Sequence, residues 1–492
     1  MSNFPRSQQK SLQKSIARSA KNFFSSLDPS LLPQILILGI DLAEPVSETS
    51  FFLEPSGCGP AADHFIQVHK IAGKLGTEAG TSSVESPQKS MIGSRTNLTD
   101  LQNYKLAINK LLVGFPAFGD SQIEISAPYE IGSYLVFVVL MLPRDIIERY
   151  FTLLRSENGE KSPQSHSFIE SAVKVFLSDS RSTLQDNLFK NRLNERSTDE
   201  LLKSAGRNFL SSIEQGIEFE PDQVSLFDAF DKISVLRYEG SDAMGKILLA
   251  KQGHTNIVFK LRLSKLIPLN DSRKVRKFLE LSDPNSYVVS DGKHILGLGM
   301  VHGDYNPKQK SLYLINFKGH YKWELLHDGN PLLSVCHGLP KIRVEGIDRN
   351  YFTAMVSQVF KDLDTSKTDR LWDITLSATQ QKAGTMLVIS DHAKSEAKRL
   401  DGQCFKVEPL VLTEEMVSQI TSIDGAVLLD QDCVCHAIGV ILDGIVSGKQ
   451  GDASRGARYN SAIRYSGTNH RRHLMLIVII SEDGMIDLIS TR

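Results

Sequence analysis

Residues 421–430 read TSIDGAVLLD, an acid–glycine pair opening a run of apolar residues. Asp424 and Gly425 at the start of a buried strand put a hard carboxylate oxygen beside backbone that a ligand can approach closely. Such an oxygen suits Mg²⁺ or Mn²⁺. Asp-Gly also makes ordinary turns, so the pair takes its meaning from what surrounds it. Working outward, residues 384–390 (GTMLVIS) and 474–480 (LMLIVII) are apolar runs of strand length, and 425–429, 436–442 and 485–489 read as further strands. Helical spacing predicts helices over 351–363, 373–381, 392–399 and 413–420, with one more starting at Ser461. Helices alternating with strands predict an α/β layer over residues 344–492.

Two more stretches of this region carry chemistry. Residues 448–460, GKQGDASRGARYN, combine glycines with Arg455 and Arg458 just ahead of the expected helix. Backbone N–H groups at a helix start, with a guanidinium that can clamp bidentately, suit a phosphate chain. A surface loop would have the same wording, and no Walker A pattern is present. Ser481 and Glu482 then follow an apolar strand, the place where ligands sit in α/β sheets, although a hairpin turn at Asp483-Gly484 would look alike.

At roughly 150 residues per domain, 492 residues suggest about three domains. The reading divides them into a basic N-terminal arm (1–24), an α+β domain (25–154), a helical connector (155–218), a β-rich domain (219–343) and the α/β domain (344–492). Residues 81–97 read as an insertion loop. Lys+Arg is 56 and Asp+Glu 57, which excludes the global charge of a dedicated nucleic-acid binder while leaving a local basic groove open. Five cysteines, with Cys433 and Cys435 as C-x-C, form neither a disulfide framework nor a zinc pair, and a reduced, cytoplasmic setting is expected. The apolar runs are too short to span a membrane. His302, His320, His327 and His337 are scattered without ligand spacing and read as structural or surface groups.

Taken in order, the three C-terminal stretches resemble the diadenylate cyclase domain of the DNA-integrity-scanning and membrane-linked cyclases. That family carries Asp-Gly-Ala, then an Arg-His-Arg motif at a helix start, then a Ser-Glu strand end. The matches here are Asp424-Gly425-Ala426, Gly456-Ala457-Arg458-Tyr459-Asn460-Ser461, and Ser481-Glu482, and the surrounding text, including the helix with Glu396-Ala397 ahead of them, also fits. The resemblance covers under a third of the chain. It departs at Arg458-Tyr459-Asn460, where one cation and one imidazole are missing, and Arg455 or Arg464 are candidates for the lost charge.

The resemblance implies a mixed sheet with helices on both faces, and condensation of two ATP into cyclic di-AMP by paired domains of a homo-oligomer. It assigns Asp424 and Glu482 to Mg²⁺ or Mn²⁺, and Asp424 and Arg458 to catalysis. Gly425, Ala426, Val440 and Ile441 would line the adenosine. Gly456, Ala457, Arg458, Tyr459, Asn460, Ser461 and Ser481 would take the phosphates and their surroundings. The N-terminal region would then be a sensor that controls pairing. Two other functions stay open: a module that binds ATP or a cyclic dinucleotide without making one, and a cyclase with a different product.

Overall fold

The computed structural model describes residues 4–28, 30–42, 51–57, 62–78, 98–153, 165–190, 196–217, 225–342, 349–361, 363–379, 384–444, 457–469, 473–481 and 486–490. The insertion loop expected over 81–97 lies outside them. The chain divides into two compact units, Met1–Arg343 and Val344–Arg492. Among the described residues no helix is long and apolar enough to cross a membrane.

The first unit holds two sheets. One runs in the order Phe51–Glu54, Gln34–Asp41, Tyr134–Pro143, Ser121–Ile125, with Tyr129–Ile131 also on Tyr134–Pro143. Its long strand YLVFVVLMLP is apolar on both sides, since side chains alternate across a strand. Val136, Val138, Leu140 and Leu142 enter one core, while Leu135, Phe137, Val139 and Met141 enter another. The eight-stranded second sheet covers Met244–Lys341 and is antiparallel except where Met244–Ala250 pairs with Tyr287–Ser290.

Helices Phe168–Lys190 and Thr198–Gly216 stand where a connector was expected. Phe168, Phe176, Phe209 and Ile213 are buried in one core shared with both sheets. The N-terminal basic stretch is the helix Arg6–Leu27, which buries Leu12, Ile16, Ala20, Phe23, Phe24 and Leu27 in that core. Its i, i+4 apolar stripe determines that packing, and the cations occupy its other faces. The apolar run at 111–118 is the end of helix Leu98–Val113 followed by a short 3₁₀ turn. Among the four histidines, His327 is buried with its Nε2 3.1 Å from the Tyr305 hydroxyl, and burial lowers its pKa.

The second unit is a mixed six-stranded sheet. Its strands are β1 (Thr385–Ser390), β2 (Phe405–Val411), β3 (Ala426–Leu429), β4 (Val434–Val440), β5 (Met475–Ile480) and β6 (Ile486–Ser490), in the order β2-β4-β3-β1-β5-β6. Only β1 and β3 pair in parallel, and the other neighbours are antiparallel. Leu387, Ile389, Val427, Leu429, Leu476 and Val478 face one core. Helices α1 (Arg349–Val359), α2 (Thr365–Ala378) and α4 (Glu414–Ile420) supply the rest of it. Met386, Val388, Ala426, Leu428, Ile477 and Ile479 face the opposite core, closed by α3 (Ala393–Arg399) and α5 (Ala457–Asn469).

This is the expected α/β layer with helices on both faces, and each buried Leu, Ile or Val contributes about 1.5–3 kcal/mol. Strand β2, FKVEPLV, falls in a stretch with no expected element. It is an exposed edge strand with Pro409 in it, which neither apolar run length nor alternation reveals.

Candidate functional site

Register brings the three motifs to one end of the sheet. Met386 of β1 pairs with both Ala426 and Ile479, and Thr385 pairs with Ile480. Asp424, two residues before Ala426, and Ser481, one residue after Ile480, therefore share that end. Val440 at the end of β4 pairs with Ala426 and joins them there.

Glycine shapes the turn that presents Asp424. Gly425 has φ +114°, and a Cβ on it would lie 2.5 Å from the carbonyl carbon of Gly439. Gly439 has φ +61° and would bring its own Cβ to 3.1 Å from Ile423 and 3.2 Å from Phe405. Two backbones cross here with no room for a side chain, so the Asp-Gly pair is more than a loose turn.

The Asp424 side chain is 87% exposed, and its Oδ1 accepts a 2.9 Å hydrogen bond from Arg458 Nη2. Arg458 Nε is buried and has no hydrogen-bond partner. The guanidinium thus keeps a donor in reserve while holding a carboxylate across the site.

Helix α5 starts at Ala457, four residues ahead of the start expected at Ser461. Ala and Arg are good helix formers, which favours a helix that already includes Ala457 and Arg458. The donors left without an intrahelical acceptor are consequently those of 457–460. Ser461 follows Arg458 by three positions and lies on the same helix face.

The other site residues divide by burial. Ala457 is exposed, and Arg458, Asn460, Ser461 and Ser481 are half-buried. Tyr459 packs on the α3/α5 core. Ala426 and Val440 are buried in that core, so their side chains offer no surface to a ligand. Ile441 is 56% exposed and, with Phe405 and Ile423, leaves an apolar border beside Asp424. Gly456, Glu482 and the loop through Arg455 lie outside the described residues.

A network that sequence reasoning missed holds this end together. Glu396 on α3 is buried and takes three hydrogen bonds from Arg399 and one, at 2.7 Å, from the Tyr465 hydroxyl on α5. The same Arg399 binds Asp443 at 2.6 and 2.8 Å. Burial raises the Glu396 carboxyl, but the Arg399 and Tyr465 hydrogen bonds outweigh it and hold its pKa below the ordinary value. The Arg399 bonds also depress Asp443. Next to Asp443, a Cβ on Gly444 would lie 2.7 Å from the Arg464 backbone. Helix α3, the chain leaving β4 and helix α5 are thus tied at one point, which fixes Arg458 opposite Asp424. The dipeptide Asp443-Gly444 was the only local signal, and its partner stands 44 residues away.

Chemically, this end offers an exposed hard oxygen, a guanidinium and a helix N-terminus within one small area, an arrangement suited to a metal–phosphate ligand. Comparison with known proteins agrees. Residues 375–492 match the family described as "DisA bacterial checkpoint controller nucleotide-binding". Residues 7–210 match "Probable sensor domain DACNG" and 224–329 match "Probable sensor domain DACNH". Among curated proteins, none matches.

Among solved structures, a "hypothetical membrane spanning protein from Bacillus cereus" is similar at 20% identity. The alignment covers 28% of this chain and 71% of that one, with a TM-score of 0.22. DacA from Staphylococcus aureus is similar at 16% identity over 26% of this chain and 90% of that one, with a TM-score of 0.21. By these matches, residues 375–492 resemble a DisA-type nucleotide-binding (DAC) domain, and the stretches ahead of it resemble the probable sensor domains DACNG and DACNH.

Proposed function

We propose that the second unit condenses two ATP into cyclic di-AMP and that the first unit controls it in response to an input. The observation that carries this reading is the Asp424–Arg458 pair. It joins the Asp-Gly-Ala turn to the helix start at 2.9 Å, although the two residues are 34 positions apart. In the reaction, each ribose 3′-oxygen bonds to the α-phosphorus of the other ATP. The bond from that phosphorus to the pyrophosphate oxygen breaks, and two pyrophosphates and two hydroxyl protons leave.

Asp424 fits Mg²⁺ or Mn²⁺, because an exposed carboxylate with a second oxygen suits an ion that keeps waters and shares substrate phosphates. Glu482 is the second ligand proposed from the motif. Such an ion, when bound, neutralises phosphate charge and makes the attacking hydroxyl more acidic. Arg458, exchanging Asp424 for a phosphate, clamps it in two places, and Ser461, Ser481 and the first-turn donors of α5 position the rest. Gly425 lets the nucleotide approach the backbone, Ile441 gives the base an apolar face, and Tyr459 and Asn460 stand in place of the family's His-Arg. One unit holds one ATP, so two units meet face to face in an isologous pair. The exposed Phe405, Ile423 and Ile441 are surface that such a pair would cover.

The test is incubation of the full-length protein with ATP and Mn²⁺ or Mg²⁺, with products read by mass spectrometry. Cyclic di-AMP is expected, and Asp424→Asn is expected to lose it without a change in thermal unfolding. Wild-type turnover by Asp424→Asn would remove Asp424 from the mechanism. ATP that is bound but left intact would identify a nucleotide-sensing module instead.

A further inference from the structure

We propose that Asp391, His392 and His473 form a site for a divalent first-row transition metal, zinc in the first instance, at the end of the sheet opposite Asp424. The last pair of β1 and β5 is Ser390 with Met475, and the Asp391 N–H donates to the Leu474 carbonyl at 3.3 Å. One step further, His392 and His473 stand across from each other with ring centroids 4.3 Å apart. One ligand atom from each of the three residues lies within 4.8 Å of the others. A tetrahedral ion with bonds of about 2.0–2.2 Å holds its ligand atoms about 3.3–3.6 Å apart, which side-chain torsions alone can reach from here.

Three features favour a metal over an ordinary pair of neighbouring histidines. Asp391 Oδ1 is buried and has no hydrogen-bond partner, an acceptor set in a place where only a cation or donor would satisfy it. Glu396 Oε1 lies 3.8 Å from His473 Nε2, a carboxylate close enough to orient a ligating imidazole by its far nitrogen after a small side-chain movement. That assigns Nδ1 of His473 to the ion. Lastly, two imidazoles and one carboxylate suit zinc, whereas Mg²⁺ and Ca²⁺ call for oxygen throughout. The site is therefore chemically distinct from Asp424. Three protein ligands leave a fourth position, and the half-exposed His392 gives the ion access from solvent.

The experiment uses full-length, untagged protein stripped with a chelator, titrated with ZnCl₂ by calorimetry and with Co²⁺ as an optical reporter. One zinc equivalent is expected, weakened at least tenfold in His392→Ala and again in Asp391→Asn. The visible Co²⁺ band should vanish in both variants and persist in Asp424→Asn, which separates the two metal sites. His392 is over half exposed, so its replacement leaves the fold intact, with circular dichroism as the check. Zinc binding of equal stoichiometry and affinity in wild type and His392→Ala would overturn the proposal, as would a wild-type protein that binds no zinc.

Discussion

Two aspartates at opposite ends of the six-stranded sheet, Asp424 and Asp430, do opposite things with their carboxylates. At the Ala426 end, Asp424 stands 87% exposed against a guanidinium, on backbone that glycines allow to cross. At the Leu429 end, Asp430 Oδ2 pairs at 2.9 Å with the Nε2 of a buried His436, and its Oδ1 accepts the Asp432 and Val434 N–H groups of the hairpin. The first carboxylate keeps an oxygen for a ligand, whereas the second is fully used in holding a turn.

The difference lies in the sheet's mixed topology. In all-parallel sheets the ligand end is the carboxyl end of every strand. Here β1 and β3 begin at the site end, while β4 and β5 finish there. The rule that pointed to Ser481 thus holds for β5, but Asp424 precedes its strand. A strand-end rule applied without the register would have placed these residues on opposite sides of the domain.

The largest structural effect is expected where the backbones cross. Gly425→Ala puts a methyl group 2.5 Å from the Gly439 carbonyl carbon at a φ of +114°. Strain at such a position costs about 1–3 kcal/mol before the clash is counted, so thermal unfolding should fall by several degrees and nucleotide binding should be lost. Gly402 is the control, since a Cβ there meets nothing within 4 Å and its alanine variant should unfold like wild type. Equal melting of the Gly425 and Gly402 variants would break the contrast between a shaped turn and an ordinary one.

Next in size is the Arg399 clamp. Arg399→Met leaves the buried Glu396 with only Tyr465 and His473 nearby and releases Asp443. Breaking a buried pair costs about 3–5 kcal/mol, and a guanidinium 37% exposed to water reduces that to about 1–3 kcal/mol. The sign of the pH effect follows from the depressed Glu396 and Asp443. Their contribution is complete above the unfolded carboxylate values near 4 and is lost as pH falls through the lower folded values. Urea midpoints should drop below pH 4.5 in wild type and drop less steeply in Arg399→Met. Parallel pH curves would show that this network does not carry the acid sensitivity.

Much of this domain was legible from residue order, and the exceptions have physical causes. The unbroken apolar runs TMLVIS and MLIVII, 6 residues each, reveal strands buried on both faces, because they have the length of a strand and are too short for a typical buried helix. Asp424-Gly425 and Arg458 were legible as chemistry, although their contact depends on register that no local window contains. Arg399 was invisible: an arginine on a short amphipathic helix looks solvated until Asp443, 44 positions on, folds against it. The start of α5 was read late because the glycine-rich approach suggested a loop running to Ser461. The helix formers after Gly456 prevail there.

The smallest effect concerns how closed the β3–β4 turn is. Cys433 ends the β3–β4 turn and Cys435 lies in β4; both are buried, and burial pushes both thiols up to about 11. At pH 8 only about one thiol in a thousand would then be thiolate, against roughly one in four for a free cysteine. Iodoacetamide should leave both unmodified in the native protein and label them at ordinary rates in urea, as read by peptide mass mapping. Neither thiol should report on ATP, because ligand binding at the Asp424 end touches strand ends on the far side of the sheet. Native labelling as fast as in urea would mean that the hairpin opens. In that event, the turn owes its closure to the Asp430–His436 pair far less than its geometry implies.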